Sequence, residues 1–206
     1  MKRLAVAVGI LLALQAQAAE QWDFEVLLDG KSIGSHRFTL ESRGDERVLR
    51  SQASFDVKLL FITAYRYRHD ATERWQGDCL VGLKASTDDN GTVGSVAAAR
   101  DGNRLQVDSP KGHSVLDGCV MSFAYWNPAM LKQARLLNAQ TGKYQPVQIT
   151  ALPDQPLRVR GQEVQAQHYR LTGPEQPVEL WYSAQGDWLG LESRVAGQRR
   201  LLYRHR

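Results

Sequence analysis

The chain has 206 residues and a formal net charge of +4, with 43% hydrophobic and 23% charged residues. These proportions are ordinary for a globular protein, and the length fits one domain with a sizeable core. The basic residues are dispersed among acidic ones, apart from the C-terminal residues 199–206. The charge pattern therefore gives no support for a nucleic-acid partner, and none is expected.

The N terminus has the pattern of a secretory signal peptide. Residues 2–3 are basic, residues 4–14 are apolar, and residues 16–18 form a small-residue cleavage site. The apolar run is shorter than the roughly 20 residues that a transmembrane helix needs. We therefore predict a cleaved signal peptide over residues 1–18 and a single β-rich domain over residues 19–206. The mature chain is expected to be periplasmic or secreted and to contain no transmembrane span.

The mature chain has two cysteines, Cys79 and Cys119, which predict a disulfide in an oxidising compartment. A bridge closing this loop would stabilise the fold by about 4 kcal/mol in the chain-entropy model. The alternative is a pair of free buried thiols, which behave as small hydrophobic groups. A catalytic pair is disfavoured because the chain has no CxxC motif and no histidine beside either cysteine.

The mature chain alternates polar and apolar residues in short runs separated by turn signals, which is typical of an antiparallel meander. Asp29-Gly30 and Asn90-Gly91 are strong two-residue hairpin signals. We predict an all-β, mainly antiparallel fold, either a large curved meander sheet or an open barrel. The predicted strands cover residues 22–28, 33–40, 48–57, 61–91 as a long hairpin with a further turn, 93–99, 105–107, 147–151, 157–160, 164–171, 178–183, 188–195 and 200–204.

The alternation breaks once, after Asn127-Pro128, which suits the cap and first turn of a helix. The apolar residues that follow recur at helical spacing: Met130, Leu131, Ala134 and Leu137. We predict one short helix over residues 129–137 that covers the sheet.

The hairpin over residues 61–91 carries the clearest alternation, and the rest of the sheet is expected to be organised around it. Its first strand has one aromatic and one ionic face. The side chains on the first face are Phe61, Tyr65, Tyr67, His69 and Trp75, and those on the second are Arg66, Arg68, Asp70 and Arg74. The turn Gly77-Asp78 then leads into the return strand.

Polar groups among these aromatic side chains are the candidate ligand-binding residues. His69 and Glu73 share a face but lie about 13 Å apart at about 3.3 Å per residue. The aromatic set would line a pocket, or else it is core with the polar residues at its rim. The arginines would recognise an anionic head group, or else form a solvated strand face. The candidate ligand-binding set is Tyr65, Tyr67, His69, Glu73, Trp75, Trp126, Arg66 and Arg68.

Sequence signatures of metal and catalytic sites are missing. There is no HExxH zinc motif and no GxSxG nucleophile elbow, and residues 88–91 lack the rest of a calcium loop. We expect no metal and no cofactor, and we assign no catalytic residue. Whether the protein is an enzyme stays open, with a role other than catalysis favoured.

Several segments resemble an exported bacterial family that is known as a domain of unknown function. The resemblance spans about residues 22–203 and implies a secreted or periplasmic β-rich domain without an established reaction, cofactor or catalytic residue. The segments that carry it are DGKSIGSHRFTL, ITAYRYRHDATERW, LKASTDDNG, FAYWNPAMLKQARLLNAQTG and LWYSAQGDWLGLES.

Three hypotheses for function follow. The first is a periplasmic binding or carrier module for a lipid or another apolar small molecule, compatible with peripheral membrane contact, because a curved aromatic sheet encloses such ligands well. The second is an envelope interaction or structural protein that pairs a partner along a free sheet edge. The third is a lipid-modifying enzyme with His69 as base and a tyrosine hydroxyl as donor. We favour the first, because it requires the fewest specialised residues.

Overall fold

The computed structural model describes residues 19–59 and 62–206. The predicted signal peptide and Phe61 lie outside the described residues. The strands are β1 Glu20–Leu28, β2 Lys31–Arg43, β3 Glu46–Leu59, β4 Ile62–Gln76, β5 Cys79–Asp89, β6 Thr92–Asp101, β7 Arg104–Ser109, β8 Gly112–Asp117, β9 Arg135–Leu137, β10 Tyr144–Pro146, β11 Gln148–Val159, β12 Gln162–Thr172, β13 Val178–Tyr182, β14 Trp188–Val195 and β15 Arg199–His205. Two 3₁₀ helices span Pro128–Lys132 and Ala196–Gln198.

A single antiparallel sheet of 13 strands forms the body of the molecule, in the order β11 to β15 followed by β1 to β8. Each strand pairs with its neighbour in sequence, except that the first strand pairs with the last, with Phe24 opposite His205. The short strands β9 and β10 form a separate pair. The sheet is not closed, because β8 and β11 are its two edges. The predicted all-β antiparallel meander is therefore confirmed.

Three of the hairpins whose turns the structure describes turn through two residues that both have positive φ, the conformation that matches the twist of the strands. The φ angles are 50° and 80° at Asp29-Gly30, and 52° and 93° at Asn90-Gly91. They are 48° and 82° at Arg160-Gly161, which joins β11 to β12. The two predicted turns that contain Asp or Asn are confirmed, and the third places a long cationic side chain at a hairpin tip.

The connection between β8 and β11, residues 118–147, fills the inside of the curled sheet, and we call it the plug. Its apolar side chains belong to the same buried cluster as Trp75 of β4 and Trp188 of β14. The fully or almost fully buried members from the plug are Val120, Met121, Ala124, Trp126, Met130, Leu136 and Leu137. The concave face of the sheet is thus packed with protein side chains.

The predicted covering helix is present within the plug, but its predicted extent over residues 129–137 is wrong. Asn127 caps it as expected, since its side-chain oxygen accepts a hydrogen bond from Ala129 N at 3.0 Å. The helix is of 3₁₀ type and ends at Lys132, and Arg135–Leu137 forms a strand instead. Leu136 and Leu137 are both fully buried. Pairing of this segment with β10 overrides its helical spacing. Among the described residues, no helix has the length and apolarity to cross a membrane.

The predicted disulfide between Cys79 and Cys119 is confirmed, with a distance of 4.9 Å between the Cα atoms. The bridge joins the start of β5 to the start of the plug. Beside it, Leu80 N donates a hydrogen bond to Val120 O at 2.8 Å. The disulfide therefore anchors the first residues of the plug, just after the chain leaves β8, to the start of β5.

Candidate functional site

The predicted two-faced strand is confirmed over β4. Tyr67, His69, Glu73 and Trp75 are buried on its inner face, Tyr65 is half-buried there, and the alternate positions are more exposed. The inner side chains belong to two different clusters, however. Trp75 packs with the plug, whereas Tyr65 and Tyr67 pack near the other end of the strand. The structure therefore brings the candidate residues to one face but not to one site.

The aromatic members of this face pack against other side chains. Trp75 is fully buried and meets Trp126 edge-on, with ring centroids 5.7 Å apart. Tyr67 stacks on Phe55 at a centroid distance of 5.2 Å. Such ring pairs add to the stability that apolar burial already provides. The geometry matches the interpretation of these aromatics as core.

The buried polar side chains of the interior are mostly satisfied by neighbours within it. His69 Nδ1 lies 2.8 Å from Thr87 Oγ1, and the carboxylate of Glu73 accepts a hydrogen bond from Trp75 Nε1 at 3.1 Å. A second histidine, missed as a candidate, forms a similar group: His36 Nε2 lies 2.7 Å from Ser51 Oγ, and His36 Nδ1 lies 3.2 Å from Tyr203 OH. The sequence signal for it was the position of His36 on the same strand face as Phe38 and Leu40.

Burial holds these interior groups near their neutral forms. It raises the pKa of Glu73 to about 7, although the neighbouring Ser122 hydroxyl and Trp75 indole favour the carboxylate. It lowers the pKa of His36 to about 3, with a smaller contribution from His69. It also lowers the pKa of His69, which Asp70 partly opposes, and raises that of Tyr67. His69 is held neutral and has no carboxylate partner, and the Tyr67 hydroxyl is a weaker acid than a free phenol. The two therefore form no evident catalytic pair.

The arginines on the outer face of β4 are neutralised by their neighbours. Arg68 Nη2 lies 2.8 Å from a carboxylate oxygen of Asp56, and Arg66 Nε lies 3.4 Å from the same side chain. These hydrogen bonds hold the pKa of the Asp56 carboxyl below its usual range. The Asp56 carboxylate already neutralises this arginine pair, as expected for a solvated strand face.

An open cleft lies elsewhere, at the distal end of the β11–β12 hairpin. Strand β12 pairs with β13 only through Gln167–Leu171, and a bulge between Leu152 and Gln155 interrupts the pairing of β11 with β12. A bulge bends the strand that carries it. The projecting part of the hairpin, residues 155–166, is called the arm.

The cleft has a volume of about 820 Å³ and lies between the arm and strands β13 to β15. It lies on the outer surface of the sheet, because the neighbours of Trp181 in sequence, Leu180 and Tyr182, point into the interior cluster. Its lining comprises Gln155, Pro156, Leu157, Arg158, Arg160, Gly161, Trp181, Leu189, Glu192, Arg200, Leu202, Tyr203, Arg204 and His205.

The cleft has an apolar floor. Trp181 is 5% exposed and stacks on His168 at a centroid distance of 5.1 Å. Gly190 lies beside this ring, and a β-carbon there would contact both Trp181 and Leu157 of the arm. These would be ordinary van der Waals contacts, which places Leu157 of the arm directly over Gly190 and the Trp181 ring. Leu189 and Leu202 extend the same apolar surface.

Cationic side chains surround this floor. Arg200 forms a salt bridge with Glu192 at 2.7 Å, and Arg204 forms one with Glu25 at 2.6 Å. Arg158 and Arg160, both exposed on the arm, form no salt bridge with any residue that the structure describes. Glu163 lies opposite Arg158 in the hairpin register but forms no salt bridge with it. Both guanidinium groups of the arm are therefore available to an anion, unlike those of Arg66 and Arg68.

Neither region contains an evident metal centre. Within residues 19–59 and 62–206, no group of three or more His, Cys, Asp or Glu side chains is arranged to hold a metal ion. The cleft therefore offers a ligand an apolar surface beside positive charges that have no salt bridge.

Comparison with known proteins places the fold. The chain is similar to the solved structure of a beta-barrel-like protein of the domain of unknown function DUF1849 from Brucella abortus, with a TM-score of 0.65 and 9% sequence identity. The match covers 90% of this chain and 94% of that one. No curated protein matches the sequence. The family model described as Domain of unknown function (DUF6134) matches residues 24–205, and the chain therefore belongs to that family.

Proposed function

We propose that the protein is an exported binding module for a lipid or a similar apolar ligand, which it holds in the cleft beneath the arm. The observation that carries this proposal is the cleft itself. Its volume of about 820 Å³ lies within the range of small-molecule sites, about 300–1,000 Å³. Such sites combine a mainly apolar lining with a few placed polar groups.

The interior of the sheet is already filled with side chains, which makes the cleft the better site for a ligand. The aromatic side chains first expected to line a pocket pack against the plug and against one another, as Trp75 does with Trp126. A ligand there would have to displace buried protein, whereas the cleft beneath the arm is already open to solvent.

Export is supported by the disulfide between Cys79 and Cys119. Such bridges persist in oxidising compartments and are rare in the cytosol. The signal-peptide pattern of residues 1–18 agrees with this placement. A periplasmic or secreted binding protein would meet lipids released from membranes.

Binding of the neutral fluorescent dye Nile red to protein extracted with organic solvent tests the proposal. We expect saturable binding at one site. Leu157→Glu and Leu202→Glu each place a charge against the apolar floor and should weaken binding about ten-fold or more. The matched control is Val93→Glu, because Val93 is 72% exposed and lies outside the cleft.

Two results would contradict the proposal: absence of saturable dye binding by the wild-type protein, or an equal loss of binding in Val93→Glu. Native mass spectrometry of the protein purified from its own cell envelope adds an independent measurement. A discrete lipid-sized mass that disappears on organic extraction would identify the natural ligand class.

A further inference from the structure

We propose that the ligand of the cleft is a single-chain amphiphile with an anionic head group, a carboxylate or a phosphate, which Arg158 and Arg160 bind at the tip of the arm. This inference rests on the proposed function and specifies its ligand. The acyl chain lies on the apolar floor formed by Leu157, Trp181 and Leu202.

The first support is the pairing of arginines across the protein. Their side chains make hydrogen bonds or salt bridges almost everywhere, as Arg74 does with Glu46 and Arg170 with Glu179. Among the arginines that the structure describes, the exceptions are Arg158, Arg160 and the C-terminal Arg206. Two of these three lie together at the cleft. A guanidinium group offers donors that match a carboxylate or phosphate. An anionic ligand would therefore give these two arginines the partner that the other arginines find within the protein.

The second support is the position of Arg160 in its turn. The first residue of this turn type has positive φ, which favours Asn, Asp or Gly. The equivalent positions in the other two turns hold Asp29 and Asn90, whereas this one holds Arg160 at a φ of 48°. A long side chain in this conformation costs conformational energy without stabilising the turn. Violations of local preference of this kind concentrate at functional sites.

The third support is the environment beneath the arm. The indole nitrogen of Trp181 is buried and has no hydrogen-bond partner in the protein. A buried donor without a partner is costly, so the protein's own interactions are incomplete at this ring. The charge of Arg160 also reaches the sheet: after burial, which is the larger cause, it contributes to the lowered pKa of His205.

The size of the cleft favours one acyl chain. About 820 Å³ suits a single small ligand, whereas a phospholipid with two chains and a glycerol head group is larger. Arg200 and Arg204 already bind Glu192 and Glu25, which leaves the two arginines of the arm to hold one head group.

The test is displacement of Nile red by three compounds with the same alkyl chain: dodecanoate, dodecyl phosphate and dodecanol, each below its aggregation limit. We expect the two anions to displace the dye from the wild-type protein at concentrations about 10- to 100-fold lower than dodecanol. This range corresponds to the usual strength of a hydrogen bond to a charged group.

The double variant Arg158→Gln/Arg160→Gln should lose most of this preference, with the affinity for dodecanol unchanged. The matched control is Arg43→Gln/Arg104→Gln, because both arginines are 66% exposed and lie outside the cleft. The control should keep the preference for anions.

The outcomes separate the two proposals. Equal displacement by anions and alcohol in the wild-type protein would overturn the anionic head group and leave the binding module standing. Absence of Nile red binding would overturn both. Inorganic phosphate that displaces the dye as well as dodecyl phosphate does would indicate a simple anion site and overturn the amphiphile.

Discussion

Trp75 and Trp181 are both buried tryptophans of the same sheet, but they lie on opposite faces and in different surroundings. Trp75, inside, is fully buried, and its indole nitrogen donates to Glu73. Trp181, outside, is 5% exposed beneath the arm, and its indole nitrogen has no partner. The indole donor of Trp75 is satisfied by the protein's own residues, while that of Trp181 is not. Within the interior, the indole nitrogen of Trp126 also has no partner.

The arginines repeat this contrast. Arg66 and Arg68 share the carboxylate of Asp56. Arg158 and Arg160 form no salt bridge among the described residues, although Glu163 lies opposite Arg158 in the hairpin. Completed interactions stabilise a fold, and incomplete ones beside an open cleft can be completed by a ligand. The comparison predicts that changes to the interior lower stability and that changes to the cleft alter binding.

The largest expected effect is that of Trp75→Ala, which removes a fully buried side chain. Deletion of a buried tryptophan typically costs about 3–5 kcal/mol, and here it also removes the hydrogen-bond donor of Glu73. Urea unfolding measures the loss. Val93→Ala is the control, since Val93 is 72% exposed and its truncation should change the unfolding free energy by less than about 0.5 kcal/mol. A similar small change in Trp75→Ala would contradict a packed interior.

Removal of the disulfide should have the next largest effect. The bridge closes a loop with a sequence separation of 40, worth about 4 kcal/mol in the chain-entropy model and often less in practice. We expect Cys79→Ala/Cys119→Ala to unfold at lower urea concentration than the wild-type protein. Reducing agent should bring the wild-type protein to the same transition and leave the double variant unchanged. Identical transitions for the two oxidised proteins would show that the plug needs no covalent anchor.

The sequence best predicted the structural features that depend on residues adjacent in sequence. Alternation along β4 identified its inner and outer faces, and the local chemistry of Asn127-Pro128 located a helix start. The predicted helix end failed because Leu136 and Leu137 satisfy their burial through a partner strand, which helical periodicity does not encode. The cleft was not predicted, since it depends on contacts between the arm and strands that follow it in sequence.

Glu73→Gln should remove a pH dependence from the interior. The pKa of Glu73 is raised from 4.5 to about 7, so the neutral form stabilises the fold below pH 4.5 and this contribution disappears as the pH rises through 7. The difference corresponds to about 3 kcal/mol. The variant should therefore be more stable than the wild-type protein at about pH 8, and the advantage should vanish near about pH 4.5.

His36 contributes with the opposite sign, so the comparison must be made between variant and wild type at each pH. Burial lowers its pKa from 6.5 to about 3, and its stabilising contribution is present above pH 6.5 and lost as the pH falls. This contribution is common to both proteins and cancels in the difference. A difference between Glu73→Gln and wild type that is independent of pH would refute the raised pKa.

The smallest expected effect on stability is that of Arg158→Gln/Arg160→Gln, and it is the sharpest test of the comparison. Neither side chain has a hydrogen bond or ion pair to lose within the described residues, so the unfolding free energy should change by less than about 0.5 kcal/mol. Urea unfolding of the double variant beside Trp75→Ala measures this directly. A loss above about 1 kcal/mol would mean that the two arginines support the fold, because substitutions at exposed positions without partners rarely cost that much. Unchanged stability together with a lost preference for anionic amphiphiles would separate the two regions: the interior maintains the fold, and the arm presents charges that only a ligand completes.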